Sequence, residues 1–461
     1  PGTIWTNTGM VDVRGLDTSL AVSNGATVYA QEVRANAGFG DTPSPVVIDG
    51  SNTQWFCSGR VGAGLWSSYG NILVTNGGRL FSADGMIGLG NFEWSNRVVV
   101  TGSGSVWSNS GDLCVGYDGI ENSMLVERGE RVYSANASVG EYTGGRYNVA
   151  RVTGSNSSWL CLGSLLVGDS DHNSLLIESG GVYSCASAVV GLDVSNKIVI
   201  TGAGSSWSNS GGLVISSGTY ADNCGFAVSN GALAYSEHAV IGERKGSSSY
   251  AVVTSPGSMW SNVSSLWIGQ TGRYNRLTVE NGGRLFSGSA VLGIATASVE
   301  NIVTVAGPDS SWSNAGSLVV GQGSSSNALV IGAGARVDAG SVIVGALGTA
   351  RGCSLQLQTG TLVAAAGLVI NTNALLTGVG TVTVSSASID NYGIVSPGLS
   401  PGRLLVNGSF VQKPGGVLNI ELGGREMGVT HDQLLCMGAL TIEGSLNVLR
   451  LRGFVPANGD I

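Results

Sequence analysis

The chain has 461 residues with 74 glycines and 9 prolines, and only 11% of it is charged, well below the roughly 25% of an ordinary soluble domain. Its net charge of -8 and the absence of any basic run exclude nucleic acid and anionic membrane surfaces as partners. No apolar stretch is long enough to cross a bilayer as a helix, so there is no transmembrane segment to place, and the seven scattered cysteines fit neither a dense disulfide scaffold nor paired zinc knuckles.

From Pro1, a start without Met that reads as processed or trimmed, the chain repeats one phrase. Trp-Ser-Asn occurs at Trp107, Trp207, Trp260 and Trp312, with looser forms at Trp5, Trp55 and Trp159. Midway between these lie phrases such as residues 129–140, which carry Tyr or Phe instead. Together they form an aromatic series: Trp5, Tyr29, Trp55, Phe81, Trp107, Tyr133, Trp159, Tyr183, Trp207, Tyr235, Trp260, Phe286 and Trp312. Successive members are 24 to 28 residues apart. A fixed period of that size marks a repeat architecture.

One period, residues 122–140, predicts short strands in which Met124 and Val126, then Ala137 and Val139, face inward, with a turn at Gly129. No amphipathic helix is evident. Strands this short cannot bury an apolar face alone, so coil must stack on coil, each strand pairing in parallel with its copies. The predicted fold is all-β, a right-handed parallel β-helix (β-solenoid) with about 25–26 residues per coil, roughly 18 coils and a length on the order of 85 Å. The aromatic series is read as one interior or corner stack rather than an external stripe. Cys161 and Cys185 each follow an aromatic by two residues on neighbouring coils, within disulfide range, although buried free thiols are the favoured reading.

A second series is Asn96, Asn122, Asn148, Asn173, Asn196, Asn275, Asn301 and Asn327, with Asn223 and Ser249 near the intervening places. An Asn in the left-handed region at a bend, bonding to its equivalent on the next coil, would hold the coils in register. Between each Val-Gly and the next Asn lies a variable loop. These loops should line one edge and collect spare aromatics and cations: Trp66, Trp94, Tyr117, Tyr142, Arg146, Tyr147, Tyr220, Arg244, Lys245, Tyr250, Arg273 and Tyr274. Repeat proteins place binding on such an edge, while ordinary solvated loops explain it equally well.

Three stretches follow from composition. Residues 1–338 carry the aromatic repeats, 339–390 are smoother Val, Ala, Thr and Gly coils, and 391–461 bring a different text. That text contains Ser396-Pro397-Gly398, Ser400-Pro401-Gly402, Gly408, His431-Asp432-Gln433-Leu434, Gly438, Gly444, Gly453-Phe454 and Gly459-Asp460. It resembles the end of the passenger region in bacterial proteins with autotransporter-associated β-strand repeats. The resemblance implies an extracytoplasmic parallel β-helix, with further strands and a sorting segment or translocating barrel beyond Ile461.

Catalysis on glycans would need two carboxylates fixed across a sugar, or a Ca²⁺ held by several acids. The acidic cluster with a neighbouring His is Asp169, Asp171 and His172, in a loop that reads equally as a turn. No calcium repeat, P-loop, GxSxG or HExxH is present. The sequence therefore predicts no enzyme and no cofactor. It predicts a structural β-solenoid of the bacterial cell surface that assembles with itself into a fibre, coat or larger oligomer. The alternative is an adhesin whose loop edge takes a cell-surface glycan or envelope component.

Overall fold

The computed structural model describes residues 2–15, 18–36, 44–90, 93–246, 248–451 and 453–457. Gly459 and Asp460, and position 247 of the 243–250 loop, lie outside them. The chain forms two compact units, Pro1–Glu237 and His238–Ile461. Both are built of parallel strands stacked as a β-solenoid, with about 17 turns in total, and no helix occurs among the described residues.

A coil has three strands rather than two. Val106–Asn109, Leu113–Val115 and Ser123–Glu127 pair in parallel with Arg131–Ser134, Ala137–Val139 and Val149–Thr153 of the next coil. The additional strand is the one that carries the aromatic. Alternation puts Val126, Val139 and Val152 inside, all fully buried. Each buried aliphatic of this kind stabilises by about 1.5–3 kcal/mol relative to exposure.

The single aromatic stack does not form. In the first unit the inward column runs Val28, Trp55, Leu80, Trp107, Val132, Trp159, Tyr183, Trp207, Ala234. In the second it runs Trp260, Leu285, Trp312, Val337. The six Trp residues from Trp55 to Trp312 and Tyr183 are buried. Tyr29, Phe81, Tyr133, Tyr235 and Phe286 instead stand one residue further on, facing outward, and Trp5 on the first coil is 40% exposed. In a strand, one residue of offset moves a side chain to the other face. Trp therefore alternates with a smaller aliphatic along most of the column, which lets an indole fill the space its neighbours leave.

Turn chemistry sets that offset. The tight coils turn on two consecutive left-handed residues, such as Asn76-Gly77, Arg128-Gly129 and Asn281-Gly282. The turn amide then points along the stack at the next coil. Ser105 Oγ accepts from Gly77 N–H at 3.1 Å, Ser157 Oγ from Gly129 N–H at 2.9 Å, and Ser310 Oγ from Gly282 N–H at 3.0 Å. The Ser two places before Trp107, Trp159 and Trp312, like Thr53 before Trp55, is thus a cap for the preceding turn.

The rest of the phrase is equally local. Trp107 Nε1 donates to Ser82 Oγ of the preceding coil at 3.1 Å, and Ser82 Oγ donates to Asn109 Oδ1 at 2.6 Å. Trp312, Ser287 and Asn314 repeat this relay at 3.0 and 2.8 Å. Trp-Ser-Asn is therefore a core Trp, an outward Ser and an inward Asn that closes a buried hydrogen-bond chain.

The Asn series is a buried ladder. Asn122 Oδ1 accepts from both Nδ2 and the backbone N–H of Asn96, at 2.9 and 3.0 Å, and Asn148 does the same for Asn122 at 2.9 and 2.8 Å. In the second unit Asn301 serves Asn275, and Asn327 serves Asn301. The left-handed residue is the one before the Asn, such as Glu121, Tyr147, His172, Ser195 and Glu300, and not the Asn itself. Cys224 takes the ladder's place after Asn196, with Asn223 (φ 54°) as the left-handed residue before it. The Gly of each Val-Gly is fixed by this ladder: a Cβ on Gly116 or Gly140 would overlap the carboxamide of Asn148 or Asn173.

Candidate functional site

The loops between Val-Gly and Asn leave Trp66, Trp94, Tyr142, Arg146, Tyr147 and Tyr220 exposed in the first unit, and Arg244, Arg273 and Tyr274 exposed in the second. Tyr250 is different. It opens the strand Tyr250–Thr254, is half-buried and lies in register with Arg276. Trp66, Tyr142, Tyr147 and Tyr274 all hold positive φ, between 59° and 62°, which is uncommon for bulky residues.

Neighbouring coils bring some of these side chains together. Tyr117 and Tyr142 lie 4.4 Å apart between ring centroids, and a hydrogen bond to Tyr142 pushes the Tyr117 phenol up to about 12. Tyr147 stacks on His172 at 4.9 Å, and the Arg273 guanidinium sits 5.8 Å from the Tyr274 ring centre. Between them run acids that serve the backbone. Asp118 Oδ1 accepts from Gly144 N–H at 2.8 Å, and Asp169 Oδ2 accepts from Tyr142 N–H at 3.2 Å. Burial raises the Asp193 carboxyl, the N–H of Val194 opposes that, and Asp171 beside it adds to the rise. Among the described residues no group of three or more His, Cys, Asp or Glu is placed to hold a metal ion. Asp169, Asp171 and His172 are thus divided among a turn, a neighbouring carboxyl and an aromatic stack.

All seven cysteines are free thiols. Burial pushes Cys57 up to about 11 and raises Cys161 and Cys185 as well, so these groups stay protonated.

One further surface was not evident in the sequence. The outward rings of Tyr29, Phe56 and Phe81 stack at 5.3 and 4.8 Å, with interplanar angles of 13° and 7°, beside a groove of about 730 Å³. The usable signal was the departure of Trp55-Phe56-Cys57 from Trp-Ser-Asn.

No family model matches this chain, and no curated protein does. Among solved structures it is similar to the crystal structure of a TibC-catalysed, hyper-glycosylated fragment of TibA, residues 55–350. That alignment has 13% identity over 96% of this chain and 99% of the other, with a TM-score of 0.32. The β-solenoid assignment rests on the chain's own strand register.

Proposed function

We propose that this protein is a structural β-solenoid of the bacterial cell surface, without catalytic activity, that assembles with its own copies into a fibre, coat or larger oligomer. The observation that carries the reading is that the recurring residues are spent on holding coil to coil: the Trp column is buried, the Asn ladder bonds each coil to the next, and the acids and His of the loops serve turns and stacks. The loop edge, with Trp66, Trp94, Tyr142 and Tyr220 exposed, supplies apolar surface for contact between copies. The surface location is supported by the resemblance of residues 391–461 to autotransporter passengers.

The test is sedimentation velocity over a concentration series, with negative-stain imaging. Oligomers should grow with concentration and shrink in a Trp66→Ser, Trp94→Ser variant. Val263→Lys, at an outward position that is 74% exposed, should leave them unchanged. Dispersed single particles at high concentration, or oligomers indifferent to the paired Ser substitutions, would sink the reading.

A further inference from the structure

The outward column of the first face is mostly small or isolated in the first unit. Ser108 and Ser208 follow their Trp residues there, and the strand Gln54–Cys57 is the exception, placing Phe56 between Tyr29 and Phe81. Three rings in succession make one aromatic wall. At one end of it Phe81 is followed in register by Ser108, and at the other Tyr29 by Thr6, both too short to cover a ring face. The groove beside the wall crosses successive coils from Asn7 to Ser110, and its polar lining is Asn7, Gln31, Ser58, Ser108 and Ser110 among others. Among the described residues no Asp, Glu, Lys or Arg lines it.

We propose that this groove binds a neutral oligosaccharide lying extended along the stacking direction. The uncharged lining gives no counter-charge to an anionic or cationic ligand, so the occupant is neutral. A peptide strand has no purchase: Thr27–Ala30 is already paired with Ile4–Thr6 on one side and Gln54–Cys57 on the other, which leaves no backbone row for strand addition. What the groove offers is amides and hydroxyls that both donate and accept, as sugar hydroxyls do, beside aromatic rings for the apolar faces of the sugar. A long groove crossing several coils suits a chain of sugars over a single ring. This site is separate from the loop edge, and stands whether or not copies associate.

The experiment is isothermal titration of the full chain with cellohexaose, maltohexaose and chitohexaose. It is repeated with Phe56→Ser, Phe81→Ser and, as a control, Tyr133→Ser, an isolated member of the same column. Serine is what the chain itself places in this column, so the variants should fold, and circular dichroism checks that they do. At least one sugar should bind the native protein and lose about tenfold or more in affinity in Phe56→Ser and Phe81→Ser, while Tyr133→Ser binds as the native protein does. No binding by any of the three sugars, equal binding by all variants, or a loss of self-association in place of sugar affinity would overturn it.

Discussion

The coils of Trp107 and Trp207 carry the same Ser-x-Trp-Ser-Asn core text and are not equivalent. Trp107 reaches back to Ser82, which passes its own hydrogen to Asn109. Trp207 reaches back to the place of Cys185, and there Trp207 Nε1 and Asn209 Oδ1 are both buried without a hydrogen-bond partner. A thiol is a weak donor and acceptor, so it cannot close the relay that a hydroxyl closes. Trp55 faces Ala30 in the same way and its Nε1 is also unpartnered. A repeat of this kind is thus written across coils: whether a motif is satisfied depends on a residue about 25 positions upstream of it.

The comparison is broken most strongly by removing the indoles. Trp107→Ala should cost about 3–5 kcal/mol, and Trp207→Ala less, because it leaves no Ser hydroxyl without its indole. Hydrogen exchange of strand Val106–Asn109 against Ser206–Asn209 in the two variants reads the difference. Ser82→Ala should make the first coil resemble the second, at a loss of about 1–3 kcal/mol from stranding Trp107 Nε1 and Asn109 Oδ1. Denaturant unfolding would show it, and an unchanged midpoint would refute the relay.

Cys185→Ser runs the other way. It supplies an acceptor for Trp207 and a donor for Asn209, and should stabilise by about 1 kcal/mol per bond formed, seen as a rise in Tm. The smallest effect concerns Glu130, a buried carboxyl beside the backbone of Gly104 and Ser105, at a position that is Gly78 or Gly181 on other tight coils. Burial raises its pKa, so the folded chain holds the proton more firmly than the unfolded one. Stability then falls as pH rises from the ordinary carboxyl range through the raised value. Glu130→Gln should raise Tm near neutral pH and leave it unaltered in acid, below the ordinary range.

Much of this was legible in the chain, and the errors are instructive. The period, the inward Val pairs and the Asn series could be read because each is fixed by a local demand that recurs. The aromatic column was misread because Trp and Tyr were matched by ring type. Counting from the turn glycine resolves it: Tyr183 is three residues after Gly180 and goes inside, as Trp107 does after Gly104, whereas Tyr133 is four after Gly129 and goes outside. The left-handed residue was likewise misplaced by one, because an Asn beside a bend suits either role until its amide is seen to be needed by the next coil. The aromatic groove escaped notice since Phe56 adjoins Trp55 and was absorbed into its motif.

The Asn ladder has a direction. The carboxamide oxygens of Asn122, Asn148 and Asn173 each serve the coil on the N-terminal side, taking both the side-chain amide and the backbone N–H of the preceding Asn, and Asn196 takes the backbone N–H of Asn173, so each of these coils is completed by its successor. Losing Asn148 would orphan two donors on Asn122, while Asn173 would keep its own bonds to the carbonyls of Gly145, Ser170 and Asp171. Damage to this column therefore runs one way, toward the N terminus, and a lesion leaves the coils after it sound.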